Sequence, residues 1–99
     1  MRMTDESVIA TRELLVKTRA NGEMHKLLIR VGRPRWREDG LAECPVEWDG
    51  LIPTQSLSSA PGHDLLHALY LASNADEAIR ALSAKYAFFW PTGESYFDD

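Results

Sequence analysis

Apolar and polar residues alternate with a period of two in the first part of the chain. In residues 7–18 the apolar positions that share one face are Val8, Ala10, Leu14 and Val16. Arg12 interrupts this face with a positive charge. Because the side chains of a strand point alternately to its two faces, the pattern predicts a strand with one buried face.

A second strand is predicted after a short polar stretch. Residues 24–31 alternate in the same way, with an apolar face formed by Leu27, Ile29 and Val31. Asn21 and Gly22 lie between the two segments, and both residue types tolerate a positive φ. An Asn-Gly pair between two strand-like runs predicts a β-hairpin.

The most regular alternation lies in residues 42–49, AECPVEWD. The positions predicted to face inward are Ala42, Cys44, Val46 and Trp48. The residues between them give this strand one solvent-exposed face. Pro45 has no N–H to donate to a ladder, so we expect it at a sheet edge or a bulge. Weaker signals predict a short fourth strand at residues 55–58.

The period changes to that of a helix between about Asp64 and Lys85. Apolar residues fall at helical spacing at positions 65, 69, 72, 79, 82 and 86. Residues 74–76 form a polar dip, at which the helix either bends or restarts with Asn74 or Asp76 as a second N-cap. We predict a last strand at residues 87–90, which ends before Pro91.

Together these elements predict an α+β fold. We expect an antiparallel sheet of four or five strands with one long C-terminal helix packed on one face. The 99 residues suffice for a single domain. Its ordered core is predicted at about residues 7–90, followed by a loose tail at 91–99 in which Tyr96 and Phe97 are the exceptions.

Composition and length are those of an ordinary soluble globular protein. The chain is 44% apolar and 26% charged, and Cys44 is its one cysteine, so no internal disulfide can form. Two acidic residues precede the first apolar run, which argues against a secretory signal. No apolar run approaches the roughly 18 residues that span a bilayer. We therefore expect a cytoplasmic protein without membrane association.

The formal net charge of −4 is unevenly distributed. Residues 1–37 carry nine Lys/Arg and four Asp/Glu, whereas residues 38–99 carry two and eleven. This asymmetry indicates a basic binding face or, in the interpretation we favour, two halves that neutralise each other within one sheet. The overall acidity disfavours general nucleic-acid binding, which needs a basic excess.

The segment GHDLLH raises the question of a metal site. His63 and His67 stand four residues apart with an acid beside the first, close to the pattern in which one helical face offers two histidines to zinc. Asp64, however, is a preferred N-cap residue, and a helix that begins there leaves His63 outside. His25 and Cys44 are predicted on other elements, so no third ligand follows. We predict a helix start in which His67 reaches back toward the cap, and no metal site.

Four arginines surround a tryptophan within eight residues. The group consists of Arg30, Arg33, Arg35, Trp36 and Arg37. Guanidinium groups suit phosphates and carboxylates, and an interleaved aromatic ring can stack on a base. The simpler interpretation is a solvated loop whose arginines pair with Glu38, Asp39 and Glu43. These five residues are nevertheless the best candidate binding surface that the sequence offers.

No catalytic constellation stands out. Cys44 is predicted on an inward strand face, where a free cysteine behaves as a small hydrophobe. The serines at positions 56, 58 and 59 lack the sequence context of a nucleophile. Trp36 and Trp90 are predicted either at the edge of the core or on an exposed contact surface.

The order of these motifs resembles that of a family of small bacterial proteins of unknown function. The resemblance rests on IATRELLV, IRVGRP, CPVEWDGL and GHDLLHAL, followed by a tryptophan near the C-terminus, and covers roughly residues 9–90. It implies a curled antiparallel sheet with one long helix, and a glutamine in relatives at the position of His67. The chain departs from the family pattern around residues 73–77. The resemblance implies no activity, cofactor or catalytic residue.

These observations predict a non-enzymatic protein-interaction module of a bacterial cytoplasm, acting on a protein partner or as a homodimer. We expect no cofactor. One alternative is a binder of a small anionic ligand or nucleic acid through residues 30–37, and another is a small metal-dependent hydrolase that uses His63 and His67. An open strand edge in so small a sheet would be a natural surface for self-association.

Overall fold

The computed structural model describes residues 7–50 and 58–97. Its elements are β1 (Val8–Thr18), β2 (Met24–Gly32), β3 (Arg35–Trp36), β4 (Ala42–Asp49), β5 (Ser58–Gly62), α1 (Leu65–Ser73), α2 (Asp76–Ala81) and β6 (Tyr86–Phe89). The strands form one antiparallel sheet in the order β3-β4-β2-β1-β6, with β5 also paired to β4. The predicted α+β class with an antiparallel sheet is confirmed.

The hairpin of β1 and β2 occupies the centre of the sheet, as the alternation predicts. The two strands are paired in register from Ala10–Val31 to Lys17–Met24. In the turn only Gly22 has a positive φ, of 74°. Asn21 acts through its side chain instead, because its Oδ1 accepts a hydrogen bond of 3.0 Å from the Glu23 N–H.

β4 occupies the predicted range, and its pairing changes at Pro45. Ala42 pairs with Trp36 of β3 on one side and with Gly62 of β5 on the other. β3 and β2 therefore lie on the same side of β4, one after the other along its length. The ladder from β2 reaches Val46, and the ladder from β3 begins at Glu43 with a register shifted by one residue. Pro45 therefore lies at an irregularity of this ladder, where the missing N–H is tolerated.

The segment before the helices differs from the sequence prediction. The strand here is β5, which extends to Pro61 and Gly62. Of the strand predicted at residues 55–58, positions 55–57 lie outside the described residues. Gly62 lets β5 approach α1 closely. A β-carbon at this position would lie 2.5 Å from the backbone nitrogen of Ala68.

The structure has two helices where the sequence predicts one long one. α1 ends at Ser73, whose hydroxyl donates to the Leu69 carbonyl oxygen at 2.8 Å. α2 begins after Ala75, which makes no side-chain capping bond, so neither Asn74 nor Asp76 is the second N-cap. Ser, Asn and Asp compete with helical backbone bonding, which explains a break at this place. The helical region ends at residue 81, and Tyr86 already belongs to β6.

Two clusters of buried residues form the core on the helix side of the sheet. The first joins Leu14, Val16, Leu27 and Ile29 of the hairpin to Ala75, Ile79 and Phe88. The second joins Val31, Ala42 and Cys44 to Ala68 and Ala72 of α1. Because α1 presents alanines to the sheet, its axis can approach β4 and β5 closely.

The segment of residues 91–97 folds back onto β6, and Tyr96, which the sequence excepts from the loose tail, anchors it. Phe89 forms a bridge with Ser95, and the Tyr96 N–H donates to the Phe88 carbonyl oxygen at 2.9 Å. The rings of Trp90 and Tyr96 have centroids 4.8 Å apart. Neither helix in the described parts of the chain has the length and apolarity needed to cross a membrane.

Candidate functional site

The GHDLLH segment is the start of α1, as predicted. Asp64 is the N-cap, and its Oδ1 accepts a hydrogen bond of 2.7 Å from the His67 N–H. His67 Nδ1 accepts a bond of 3.0 Å from the backbone N–H of His63, one residue further back than the cap. The two imidazole rings stack with centroids 5.3 Å apart. Both histidines thus contribute to the structure of the helix start.

Within residues 7–50 and 58–97, no three His, Cys, Asp or Glu side chains are grouped closely enough to hold a metal ion. Cys44 faces inward, as predicted, and is fully buried. Its thiol donates to the Gly32 carbonyl oxygen at 3.2 Å. Burial raises the pKa of the Cys44 thiol, which opposes formation of the nucleophilic thiolate.

Carboxylates of the chain already hold three of the four candidate arginines. The nitrogen–oxygen distances are 2.5 Å for Arg30–Glu47, 2.7 Å for Arg35–Glu43 and 2.9 Å for Arg37–Asp39. Arg33 is exposed and has no ion-pair partner among the described residues. Two of the three acids expected to neutralise this segment therefore do so.

The same five residues do not share one face of the sheet. Trp36, 56% exposed, is paired with Ala42, whose side chain is buried on the helix side. Arg35 is paired with Glu43, the next residue of β4, and therefore lies on the opposite side. Arg30 pairs with Glu47 on that opposite side, so the tryptophan cannot act together with either guanidinium on a flat ligand.

In the part of the chain that the structure describes, four of the eleven residues of β1 are paired on one side and the other seven are not. β6 pairs with residues 15–18 of β1, and Pro91 follows soon after. The segment from Val8 to Leu14 therefore has β2 on one side and no strand on the other among the described residues. Ile9 is 44% exposed and Ala10 is also exposed. Such an edge carries backbone N–H and C=O groups that can pair with another strand.

A cavity of about 80 Å³ opens beside this edge. We call it the β1 slot, and the residues that line it are Ala10, Thr11, Arg12, Ile29, Val31, Ser73 and Ala75. The slot exists because the helical layer breaks above it, and because the alanines on its rim are too short to fill it. Its walls are mainly apolar, and it is large enough for one valine or leucine side chain.

Arg12 carries the positive charge of the slot. Its Nη1 donates to the Tyr96 hydroxyl at 2.6 Å, and its guanidinium carbon lies 5.3 Å from the centroid of the Trp90 ring. The Tyr96 hydroxyl in turn donates to Asp76 Oδ1 at 2.5 Å. Among the described residues no carboxylate lies within ion-pair distance of Arg12, so its neighbours are aromatic faces and a hydroxyl group.

The C-terminal segment is fixed by the same network. Burial, together with the hydrogen bond to Asp76, raises the pKa of the Tyr96 hydroxyl. Arg80 of α2 lies over the Phe97 ring, 4.0 Å from its centroid. The segment therefore connects β1 to the first turn of α2.

Neither Arg12 nor Tyr96 is among the binding residues that the sequence predicts. One signal for Arg12 was present, since a charge interrupts the apolar face of its strand. No local pattern could link it to Tyr96, because the two residues are 84 positions apart.

No protein-family model, curated protein or solved structure matches this chain. The resemblance in motif order therefore stays a prediction, and the function has to be inferred from the geometry.

Proposed function

We propose that this protein is a non-enzymatic interaction module that binds an extended segment of a partner protein along the open edge of β1. The observation that carries the proposal is the segment from Val8 to Leu14, which lies beside the β1 slot and has no strand on one side within residues 7–50 and 58–97. Backbone hydrogen bonds along such an edge supply affinity, and a pocket for alternate side chains supplies selectivity.

The setting of the module is part of the same proposal. Its single thiol, Cys44, is buried and forms no disulfide, which is compatible with a reducing compartment such as a bacterial cytoplasm. The alternative, an anion binder through residues 30–37, has less support because three of its four guanidinium groups are paired within the chain.

The experiment is a selection from a displayed library of random peptides of about ten residues, long enough to pair with the open edge. Hydrogen exchange then maps the selected peptides on the protein. We expect slowed exchange of the backbone amides of residues 8–14. Ala10→Arg should abolish binding by filling the β1 slot, and because Ala10 is exposed the fold should survive.

The matched control is Ala84→Arg, the same change at another exposed alanine. This variant should bind the peptides like the wild-type protein. Enriched peptides that slow exchange elsewhere, for example on Leu66 and Tyr70 of α1, would contradict the proposal. So would a selection that enriches nothing.

A further inference from the structure

We infer that the segment bound at β1 is acidic, placing a carboxylate on Arg12 and an aliphatic side chain in the β1 slot. This inference rests on the proposed function and specifies the chemistry of the partner. The juxtaposition that carries it lies within residues 7–50 and 58–97: a half-buried guanidinium that pairs with no carboxylate of these residues, on the wall of an apolar slot, beside a strand edge to which no strand of these residues is paired.

When a partner strand pairs with the edge of β1, the positive charge of Arg12 needs an anionic group of that partner. In the free protein this guanidinium is half-buried and hydrogen-bonded to a neutral hydroxyl, that of Tyr96. A strand added along β1 would remove further water from it, and a charge that loses water needs a partner of opposite sign. The carboxylate of Asp76 accepts its hydrogen bond from the Tyr96 hydroxyl and is not itself paired with Arg12.

The spacing of the recognised residues follows from strand geometry. Ala10 and Arg12 are two positions apart on the helix side of β1. Same-face side chains of an added strand are also two positions apart, and each faces its cross-strand neighbour. The partner therefore carries aliphatic-x-acid if it runs parallel to β1, or acid-x-aliphatic if it runs antiparallel.

A second copy of this chain, paired antiparallel through the same edge of β1, does not supply that chemistry. In a two-fold antiparallel pairing of β1 with itself, each helix-side residue meets a helix-side residue of the other copy. Those positions are Ala10, Arg12 and Leu14, while Glu13 points to the other face. Such a dimer would bring two arginines to one face with no carboxylate between them.

The test uses labelled heptapeptides and the intact protein. The probes are Ser-Thr-Leu-Thr-Glu-Thr-Ser and its reversed sequence, each with Gln and Lys counterparts at the Glu position. We expect the better Glu peptide to bind at least about tenfold more tightly than its Gln counterpart, as a charge-assisted hydrogen bond provides. The Lys peptide should bind most weakly, and added salt should reduce these differences.

Charge reversal provides an internal control. Arg12→Glu should invert the order of preference, so that the Lys peptide binds best. Lys17→Glu, the same reversal on β1 at a residue outside the slot, should leave the preference for Glu unchanged. An inverted order also shows that the variant is folded, because an unfolded protein would bind none of the peptides.

The outcomes separate the two proposals. If Glu, Gln and Lys peptides bind equally well and all slow exchange in residues 8–14, strand addition is correct and the acidic partner is wrong. If no peptide of either experiment protects residues 8–14, the proposed function is wrong and this inference with it.

Discussion

Gly62 shows how one missing side chain sets the distance between β5 and α1. A β-carbon at this position would lie 2.5 Å from the backbone nitrogen of Ala68 and 2.9 Å from its Cα. Backbone atoms of a helix cannot move aside like the end of a flexible side chain. α1 would have to shift as a unit, and the small residues that it packs on the sheet would lose their contacts.

We therefore expect Gly62→Ala to lower the free energy of unfolding by about 3 kcal/mol, the cost of overpacking against backbone. The matched control is Gly40→Ala, where a β-carbon meets no atom within 4 Å but φ is +87°. That change should cost only about 1 kcal/mol, from conformational strain alone. Urea unfolding followed by circular dichroism measures both, and equal losses would contradict the explanation.

Glu47 shows where the alternation of a strand misleads at the scale of one residue. The pattern of β4 predicts it on a solvent-exposed face, yet its exposed fraction is 2%. Arg30 lies across from it on β2 and bonds it at 2.5 Å, with Asp49 at 3.6 Å from the same nitrogen. Alternation correctly assigns the face of a side chain, but it cannot say what covers that face.

At the scale of secondary structure, the start of α1 depends on a short network. Asp64 satisfies the His67 N–H, and the His67 ring satisfies the His63 N–H. These bonds lie within five consecutive residues, which is why the sequence alone predicted this helix start.

Asp64→Ala should lower the free energy of unfolding by about 1 kcal/mol, the usual value of an N-cap. Asp64→Asn, which keeps an oxygen acceptor, should lose much less. Thermal or urea unfolding of the wild-type protein and the two variants at one pH measures these losses of stability. If Asn proves as damaging as Ala, charge at the helix terminus outweighs the hydrogen bond.

The elements that were predicted correctly have local causes. The alternation of apolar and polar residues predicts β1, β2 and β4. Asn21 and Gly22 predict the hairpin of β1 and β2, and Pro91 predicts the end of β6. The sequence predicts an interruption at residues 74–76, but polar residues at that place are compatible with a bend of one helix as well as with two separate helices. β3 could not be predicted, since two residues have no period and are held by their pairing with β4.

At the scale of the whole molecule, the first strand, the second helix and the C-terminal segment are joined through Tyr96. Its hydroxyl accepts from Arg12 and donates to Asp76. The candidate site could not be predicted because these groups meet only in the folded chain. The arginine segment, which sequence alone favours, pairs mostly with nearby acids instead.

We expect Tyr96→Phe to cost about 1–2 kcal/mol near neutral pH, the value of the lost hydrogen bonds. The pKa of Tyr96 is raised in the folded protein from its ordinary value of 10.0. The folded state therefore keeps this proton at pH values where the unfolded state has lost it, so its stabilising effect is complete below pH 10.0 and is lost as the pH rises through the folded pKa.

The measurement is urea unfolding of the wild-type protein and Tyr96→Phe between about pH 8 and pH 11, a range that spans tyrosine ionisation. The difference in stability between the two proteins should shrink toward the alkaline end. Other titrating groups are common to both and cancel in the difference. A difference that stays constant with pH would show that Tyr96 titrates in the same way in both states.

The pairing of β1 with β6 also has a consequence for synthesis. The ribosome releases β1 and β2 before β6, and their hairpin can form early because its contacts are local. The strand that completes β1 begins only at Tyr86. In a nascent chain that has not yet reached that residue, the edge of β1 from Leu15 to Thr18 has no β6 to pair with. It is therefore the unfinished chain, more than the mature protein, that is most prone to aggregate.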